Sequence, residues 1–244
     1  MKRIFQRIYL YTGFFFFGVA MLVVFPIVGL AHYLLPQNAS EWVKLHCMKF
    51  WAASFYSFGV YFYHKRSREA QKSWPKGPVI IVCNHNSLLD TPALYLMLKR
   101  FAKPLAKMSL TKAPIFGHLC KWITLPVERK SIESRQQAML DMNSYLSNGG
   151  SLVIFPEGKT NTSKEFIQPF ESGAFKLSFD LGVPLVPVLV RNTRYCLGST
   201  KPLTLRPGIV YTESGPVFNP SDYLSYMDLQ KAVFGWYKNN FEAA

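Results

Sequence analysis

From Val79 onward the chain alternates short, unbroken apolar runs with stretches of helical character, and few folds accept that pattern. Residues 79–83, 104–108, 123–127, 151–155 and 185–190 read as strands; 93–99, 132–146 and 174–181 read as helices, with another opened by Pro114. Gly149-Gly150 and Gly182 stop two of these helices. A strand with no polar alternation is buried on both faces. Such strands separated by helices predict an α/β fold with a mostly parallel or mixed sheet flanked by helices. Ligands of these sheets collect at the carboxyl ends of the strands, where Asn84-His85, Arg129 and Pro156-Glu157-Gly158 each follow a strand. Residues 203–244 read as strands followed by a helix near 223–237 and carry no recognisable chemistry.

The first third differs. Residues 8–35 are apolar and follow Lys2, Arg3 and Arg7, long enough to span a bilayer. No small-x-small cleavage site follows, which speaks against a signal peptide. Pro26, Gly29 and Pro36 interrupt the run, so the alternative is a monotopic segment that dips into one leaflet and returns as a helical hairpin. Residues 41–63 carry Trp42, Phe50, Trp51, Phe55, Tyr56, Phe58, Tyr61, Phe62 and Tyr63 among lysines, and His64-Lys65-Arg66 ends them. That mixture predicts an amphipathic helix at headgroup level with its basic end on anionic lipid; a buried core helix is the competing reading. The polar stretch 67–77 marks a boundary, giving membrane-associated helices over 1–66 and an α/β domain over 67–244.

Composition agrees with a membrane surface. Lys and Arg number 28 against 14 Asp and Glu, a net charge of +14, in a chain that is 49% hydrophobic and 16% aromatic. No basic stripe with a readout module points to nucleic acid. Cys47, Cys83, Cys120 and Cys196 show neither C-x-x-C spacing nor clustering with His, so no metal site, metal cofactor or disulfide framework is expected and the chain reads as cytosol-facing.

Chemistry concentrates in Asn84-His85-Asn86-Ser87-Leu88-Leu89-Asp90, between a strand and the helix that Pro92 opens. Positions five apart lie about 140° apart on a helix, so His85 and Asp90 meet only if a turn folds the carboxylate back. A carboxylate on one ring nitrogen fixes the tautomer and leaves the other free to take a hydroxyl proton. The alternative is structural: Asp90 as helix N-cap and His85 bonded to a turn carbonyl.

With the blocks that follow, the chain resembles the glycerolipid acyltransferases of the 1-acyl-glycerol-3-phosphate acyltransferase type. His85 and Asp90 match the first motif, His-x-x-x-x-Asp. Leu125-Pro126-Val127-Glu128-Arg129 is similar to the second, Phe155-Pro156-Glu157-Gly158 to the third and Val183-Pro184-Leu185-Val186-Pro187-Val188 to the fourth. Lys107-Met108-Ser109-Leu110 with Pro114 and Gly117 resembles the segment that carries a phosphate-binding Lys. The resemblance implies a membrane enzyme that moves a fatty acyl group from coenzyme A or acyl carrier protein to the hydroxyl of a lysophospholipid, without a cofactor. It casts His85 as general base, Asp90 as its orienter, and Lys107 and Arg129 as ligands of the acceptor phosphate. Gly158 would allow close approach of backbone to substrate, and Glu157 would hold a glycerol hydroxyl or anchor the loop.

The third motif departs from the family. Where Thr-Arg-Ser usually follows, this chain has Lys159-Thr160-Asn161, so Thr160 stands in the Arg position and Lys159 offers a basic group one residue early. The stretch 169–176 resembles the family's Phe-Lys-Lys-Gly-Ala-Phe with both lysines replaced. An acceptor other than lysophosphatidic acid, a non-catalytic membrane-surface adaptor and a thioesterase using the same site are the competing functions.

Overall fold

The computed structural model describes residues 2–66, 74–199 and 203–242, the side chains of 2–7, 66 and 242 excepted. The polar boundary expected at 67–77 lies outside the described residues over 67–73, as do the side chains of the basic flank Lys2, Arg3 and Arg7.

Strands β1 (Val60–Arg66), β2 (Ile80–Cys83), β3 (Lys103–Lys107), β4 (Leu125–Val127), β5 (Leu152–Ile154), β6 (Leu185–Arg191) and β7 (Gly208–Ser214) form one sheet in the order β1-β7-β6-β2-β5-β3-β4. All neighbours are parallel except β6 and β7, so the mixed, mostly parallel sheet expected from the apolar runs is present. Successive side chains point to opposite faces, and the central strands divide accordingly. Ile81, Cys83, Val153, Val186 and Val188 join one core cluster. Ile80, Val82, Leu152, Ile154, Leu185 and Leu189 join the other. Helices α1 (Lys2–Leu34), α2 (Gln37–Ala53), α3 (Asp90–Met97) and α4 (Phe116–Ile123) cover the first face. Helices α5 (Ile132–Ser147), α6 (Gly173–Leu181) and α8 (Tyr226–Glu242) cover the second, and α7 (Thr193–Cys196) is a single turn after β6.

The segment expected as one aromatic helix over 41–63 is divided. Helix α2 stops at Ala53, a 3-10 turn spans Ser54–Phe58, and Gly59, at φ +62°, redirects the chain into β1. Within β1, Val60 and Phe62 are buried while Tyr61 and Tyr63 are exposed, an alternation that the uniform aromatic density concealed. The sheet therefore reaches back to Val60, ahead of the boundary expected after 66. Lys65, read as a lipid contact, pairs with Glu213 at 3.1 Å.

Helices α1 and α2 form the hairpin. Ala20, Met21, Val24, Val28 and Ala31 bury one stripe of α1, and Phe17 meets Trp51 of α2 edge-on at 5.4 Å. The stripe continues onto the domain: Tyr9 donates to the Phe58 carbonyl near one end, and Phe25 stacks on Trp122 of α4 at 5.2 Å toward the other. Gly29 permits that approach, because a Cβ there would lie 3.0 Å from the Trp122 ring. The opposite stripe is apolar and bare, with Phe15 66%, Leu22 60% and Leu30 62% exposed. Residues Ile8–Leu34, with mean hydropathy 2.6, are long and apolar enough to cross a membrane.

A charged cluster joins this hairpin to the start of β3. Lys44 of α2 is only 5% exposed, with Nζ 3.3 Å from His32 Nδ1. Lys103 lies over the Tyr145 ring, 4.4 Å from its centre, and the Tyr145 hydroxyl donates to Glu41 at 2.7 Å. Burial, with Lys103 adding to it against the pull of Glu41, pushes the Lys44 ammonium down to about 8.

Candidate active site

The site lies at the carboxyl ends of β2, β4, β5 and β6. After β2, Asn84 ties the strand end to β6: its side chain accepts from Val190 N at 2.7 Å and donates to Val190 O at 2.8 Å. The chain then turns rather than continuing as helix, with Asp90 N donating to the Ser87 carbonyl at 3.2 Å. That turn folds Asp90 back onto His85, and Nδ1 meets Asp90 Oδ2 at 2.9 Å. Asp90 is the first residue of α3 and Leu89 its cap, so the carboxylate does not occupy the N-cap position of the structural reading.

Asp90 is fully buried and its charge is met by four donors. Oδ2 accepts from His85 Nδ1, from Asn86 N at 2.6 Å and from Ser87 N at 2.8 Å; Oδ1 accepts from Thr193 Oγ1 at 2.6 Å. The start of α3 adds the positive end of its dipole. Charge-assisted hydrogen bonds contribute about 1.5–3 kcal/mol each, against the several kcal/mol of burying a carboxylate unpaired. With both Asp90 oxygens acting as acceptors, His85 carries its proton on Nδ1 and presents Nε2 as an acceptor. Thr160 Oγ1 fills that position at 3.0 Å. Phe155 stacks on the imidazole at 4.3 Å between ring centres, and the His85 side chain keeps 17% exposure.

Glu157, 4% exposed, anchors the neighbouring loop. One carboxylate oxygen accepts from His85 N at 2.7 Å and the other from Gln168 N at 2.9 Å. Burial raises its carboxyl above the usual range, and these two N–H groups pull the other way. Of the two roles implied by resemblance, loop anchor is the one its hydrogen bonds describe. Gly158 has φ +71°, a conformation in which a side chain is strained, and its carbonyl accepts from the Arg129 guanidinium.

The seven sequence-predicted residues divide into two groups. His85, Asp90, Glu157 and Gly158 form one connected unit, and Arg129 joins it through the Gly158 carbonyl. Lys107 ends β3 in register with Val127, two residues before Arg129, and both Lys107 and Arg129 are exposed. Lys159 is also exposed, between Gly158 and Thr160. Two residues that sequence reasoning passed over belong to the site. Thr193 bonds Asp90, and Arg194 holds the 158–166 loop by donating to the carbonyls of Asn161 and Ser163 (2.5 and 2.6 Å) and to Asn86 Oδ1 at 2.9 Å. Their position just after β6 was the one available signal.

Comparison with known proteins gives the family. The chain is 27% identical over 176 residues to a chloroplast 1-acyl-sn-glycerol-3-phosphate acyltransferase of Brassica napus, covering 71% of this chain and 49% of that one. It is 29% identical over 200 residues to the Saccharomyces cerevisiae 1-acyl-sn-glycerol-3-phosphate acyltransferase, covering 75% and 57%. The chain thus spans about half the length of the curated relatives it matches. The crystal structure of the 1-acyl-sn-glycerophosphate acyltransferase PlsC from Thermotoga maritima superposes with a TM-score of 0.83, covering 100% of this chain and 97% of that one; at 19% identity this is a likeness of fold. Residues 62–191, just over half the chain, match the family described as Acyltransferase. That span runs from β1 through the end of β6 and contains the His85 turn, Arg129 and the Glu157 loop, so the chain belongs to the acyltransferase family.

Proposed function

We propose that this protein transfers a fatty acyl group from an acyl thioester to the free hydroxyl of 1-acyl-glycerol-3-phosphate, forming phosphatidic acid at a membrane surface. One observation carries the reading: the His85 imidazole is held between Asp90 on Nδ1 and a hydroxyl on Nε2, the geometry of a base about to take an alcohol proton. In the reaction the acceptor hydroxyl takes the place at Nε2, gives up its proton and attacks the thioester carbonyl carbon. The carbon–sulfur bond breaks and the proton passes from His85 to the departing thiolate. Asp90 holds the ring and stabilises the transient imidazolium. Glu157 and Gly158 fix the loop that faces the ring. Lys107, Arg129 and Lys159 supply the positive rim that receives the acceptor phosphate, Arg129 as a fork and the lysines as point charges.

The bare stripe of α1 seats the domain on the bilayer. Because the other stripe is packed against the domain from Tyr9 to Trp122, the helix lies along the protein and enters one leaflet rather than crossing. The active site then faces the cytoplasm, where coenzyme A and acyl carrier protein are both available as acyl carriers.

A panel of lyso-lipid acceptors with mass-spectrometric identification of products tests this. Phosphatidic acid formed from lysophosphatidic acid in preference to other diacyl lipids is the expected result. Preference for another headgroup would move the acceptor assignment, in keeping with Thr160 in the family's Arg position. Liposome binding without turnover on any acceptor would leave only a membrane-surface adaptor.

A further inference from the structure

The hydroxyl on His85 Nε2 belongs to the protein itself. Thr160 Oγ1 lies 3.0 Å from Nε2, and because Nδ1 carries its proton toward Asp90 at 2.9 Å, the Thr160 hydroxyl is the donor to Nε2. The contact is braced on both sides. Glu157 accepts from His85 N at 2.7 Å, and Asn161 N–H donates to the His85 carbonyl at 2.7 Å, so the loop is tied to the His85 turn before and after Thr160. Arg194 adds donors to the carbonyls of Asn161 and Ser163 and to Asn86 Oδ1 in that turn. The Thr160 backbone is therefore fixed relative to the imidazole. Its side chain is β-branched, with few staggered wells at χ1, so the hydroxyl is either on Nε2 or rotated off it.

An acceptor alcohol needs the same lone pair, and so does any water that reaches the ring, whose side chain is 17% exposed. A water on Nε2 would give its proton to the ring and attack the thioester carbonyl carbon. The carbon–sulfur bond would break, the thiolate would take the proton, and the products would be fatty acid and thiol. Water and lyso-lipid differ in what they bring to the exchange. Water offers one hydrogen bond in place of the one it breaks. A lyso-lipid also brings its phosphate to the basic rim and its acyl chain to the protein, and this remote binding energy offsets the displacement. We propose that Thr160 is a specificity-determining residue: its hydroxyl occupies the base until an acceptor able to displace it arrives, and so selects lyso-lipid over water. The acceptor still attacks directly, because Thr160 takes no acyl group and only rotates aside. The inference rests on the acyl-transfer reading above and adds to it the means by which the site avoids acting as a thioesterase.

The test is thioester hydrolysis without acceptor. Full-length protein in detergent is incubated with palmitoyl-coenzyme A, or with the acyl carrier protein thioester if product forms only from that, and free fatty acid is measured. Transfer to a panel of lyso-lipids is followed in parallel. Thr160→Ala is expected to release fatty acid about twofold to tenfold faster than wild type, the range that one neutral hydrogen bond corresponds to. Adding His85→Ala to that variant should abolish the gain, because the water is activated at Nε2. Thr160→Ser, which keeps the hydroxyl, should stay closer to wild type than to Thr160→Ala. So should Thr162→Ala, which removes an exposed hydroxyl from the same loop. Hydrolysis by Thr160→Ala no faster than by wild type, a gain that survives the loss of His85, or an equal gain in Thr160→Ser or Thr162→Ala overturns the proposal and leaves the acyltransferase reading standing. Failure of wild type to form product with any lyso-lipid removes both.

Discussion

Two histidines mark opposite edges of the sheet, each beside a buried charge, and the two surroundings differ in kind. At the carboxyl edge Asp90 is fully buried and receives four donors, two of them backbone N–H groups from the adjoining turn. At the amino edge, where β3 begins, Lys44 is 5% exposed and has one imidazole nitrogen within reach, with a second lysine nearby. The first charge is held by dipoles already in place, so its ring partner is fixed in one orientation. The second is poorly compensated, and its pKa falls. A preorganised charge supports chemistry; an under-compensated one makes the joint between hairpin and domain depend on pH.

The largest effect short of removing the base is expected from Asp90→Asn. Asparagine can place its carbonyl toward His85 and its amide toward Thr193, whose hydroxyl can turn to accept, so the tautomer survives while the charge is lost. Turnover should fall roughly two to three orders of magnitude, less than the four that follow where the same change reverses the tautomer. A far-UV spectrum unchanged from wild type would show that the contrast concerns charge, not folding.

Glu157→Gln comes next. It leaves one of the two N–H groups, that of His85 or of Gln168, without an acceptor, at about 1.5–3 kcal/mol. We expect a tenfold to hundredfold loss of kcat/KM, approximately, and a fall in Tm. The raised carboxyl of Glu157 also gives a sign. The folded protein holds this proton more tightly than the unfolded chain, so its contribution to stability is greatest below the ordinary carboxylate range and declines as pH rises through the raised pKa. Chemical denaturation of wild type and Glu157→Gln across the acid range should show that decline in wild type alone.

Thr193→Val removes one of the four donors to Asp90 and should cost about 1.5–3 kcal/mol of stability and roughly tenfold or less in turnover. If it matched Asp90→Asn, the backbone N–H groups would not be the principal support of the carboxylate.

The smallest functional effect belongs to the other edge. Between about 8 and 10.5 the folded protein binds fewer protons at Lys44 than the unfolded chain does, so stability from this group rises with pH across that window and is lost as pH falls through about 8. Lys44→Met should therefore be more stable than wild type near neutral pH, by about 1 kcal/mol or more, with the advantage shrinking toward pH 10. Its turnover should be unchanged. Tm measured from pH 7 to 10 checks the slope, and a parallel offset at every pH would contradict it.

How much of this was legible in the sequence follows from how far apart the cooperating residues lie. The sheet was legible because buried parallel strands have a local signature, as at Ile80–Cys83. The His85–Asp90 contact was legible because five residues and a turn contain the whole device. Strand β1 was not, because Val60 to Tyr63 alternates within a longer aromatic run whose density resembles an interfacial helix. Thr193 and Arg194 were not, because they meet partners 103 and 108 positions away, a distance that only the fold closes. Lys44 stood among the lysines of an expected headgroup-level amphipathic helix, and its burial beside His32 of α1 shows only in the folded structure. Thr160 was visible as a departure from the family's motif, and its place on Nε2 required coordinates.

The central claim is that His85 is the base of an acyl transfer, and the most direct measurement is phosphatidic acid formation from lysophosphatidic acid and an acyl thioester, wild type against His85→Ala, with thiol release followed together with lipid product. Loss of both by at least about three orders of magnitude, in a variant that unfolds like wild type, is the predicted result. Equal rates of thiol release and of product from the two proteins would contradict it.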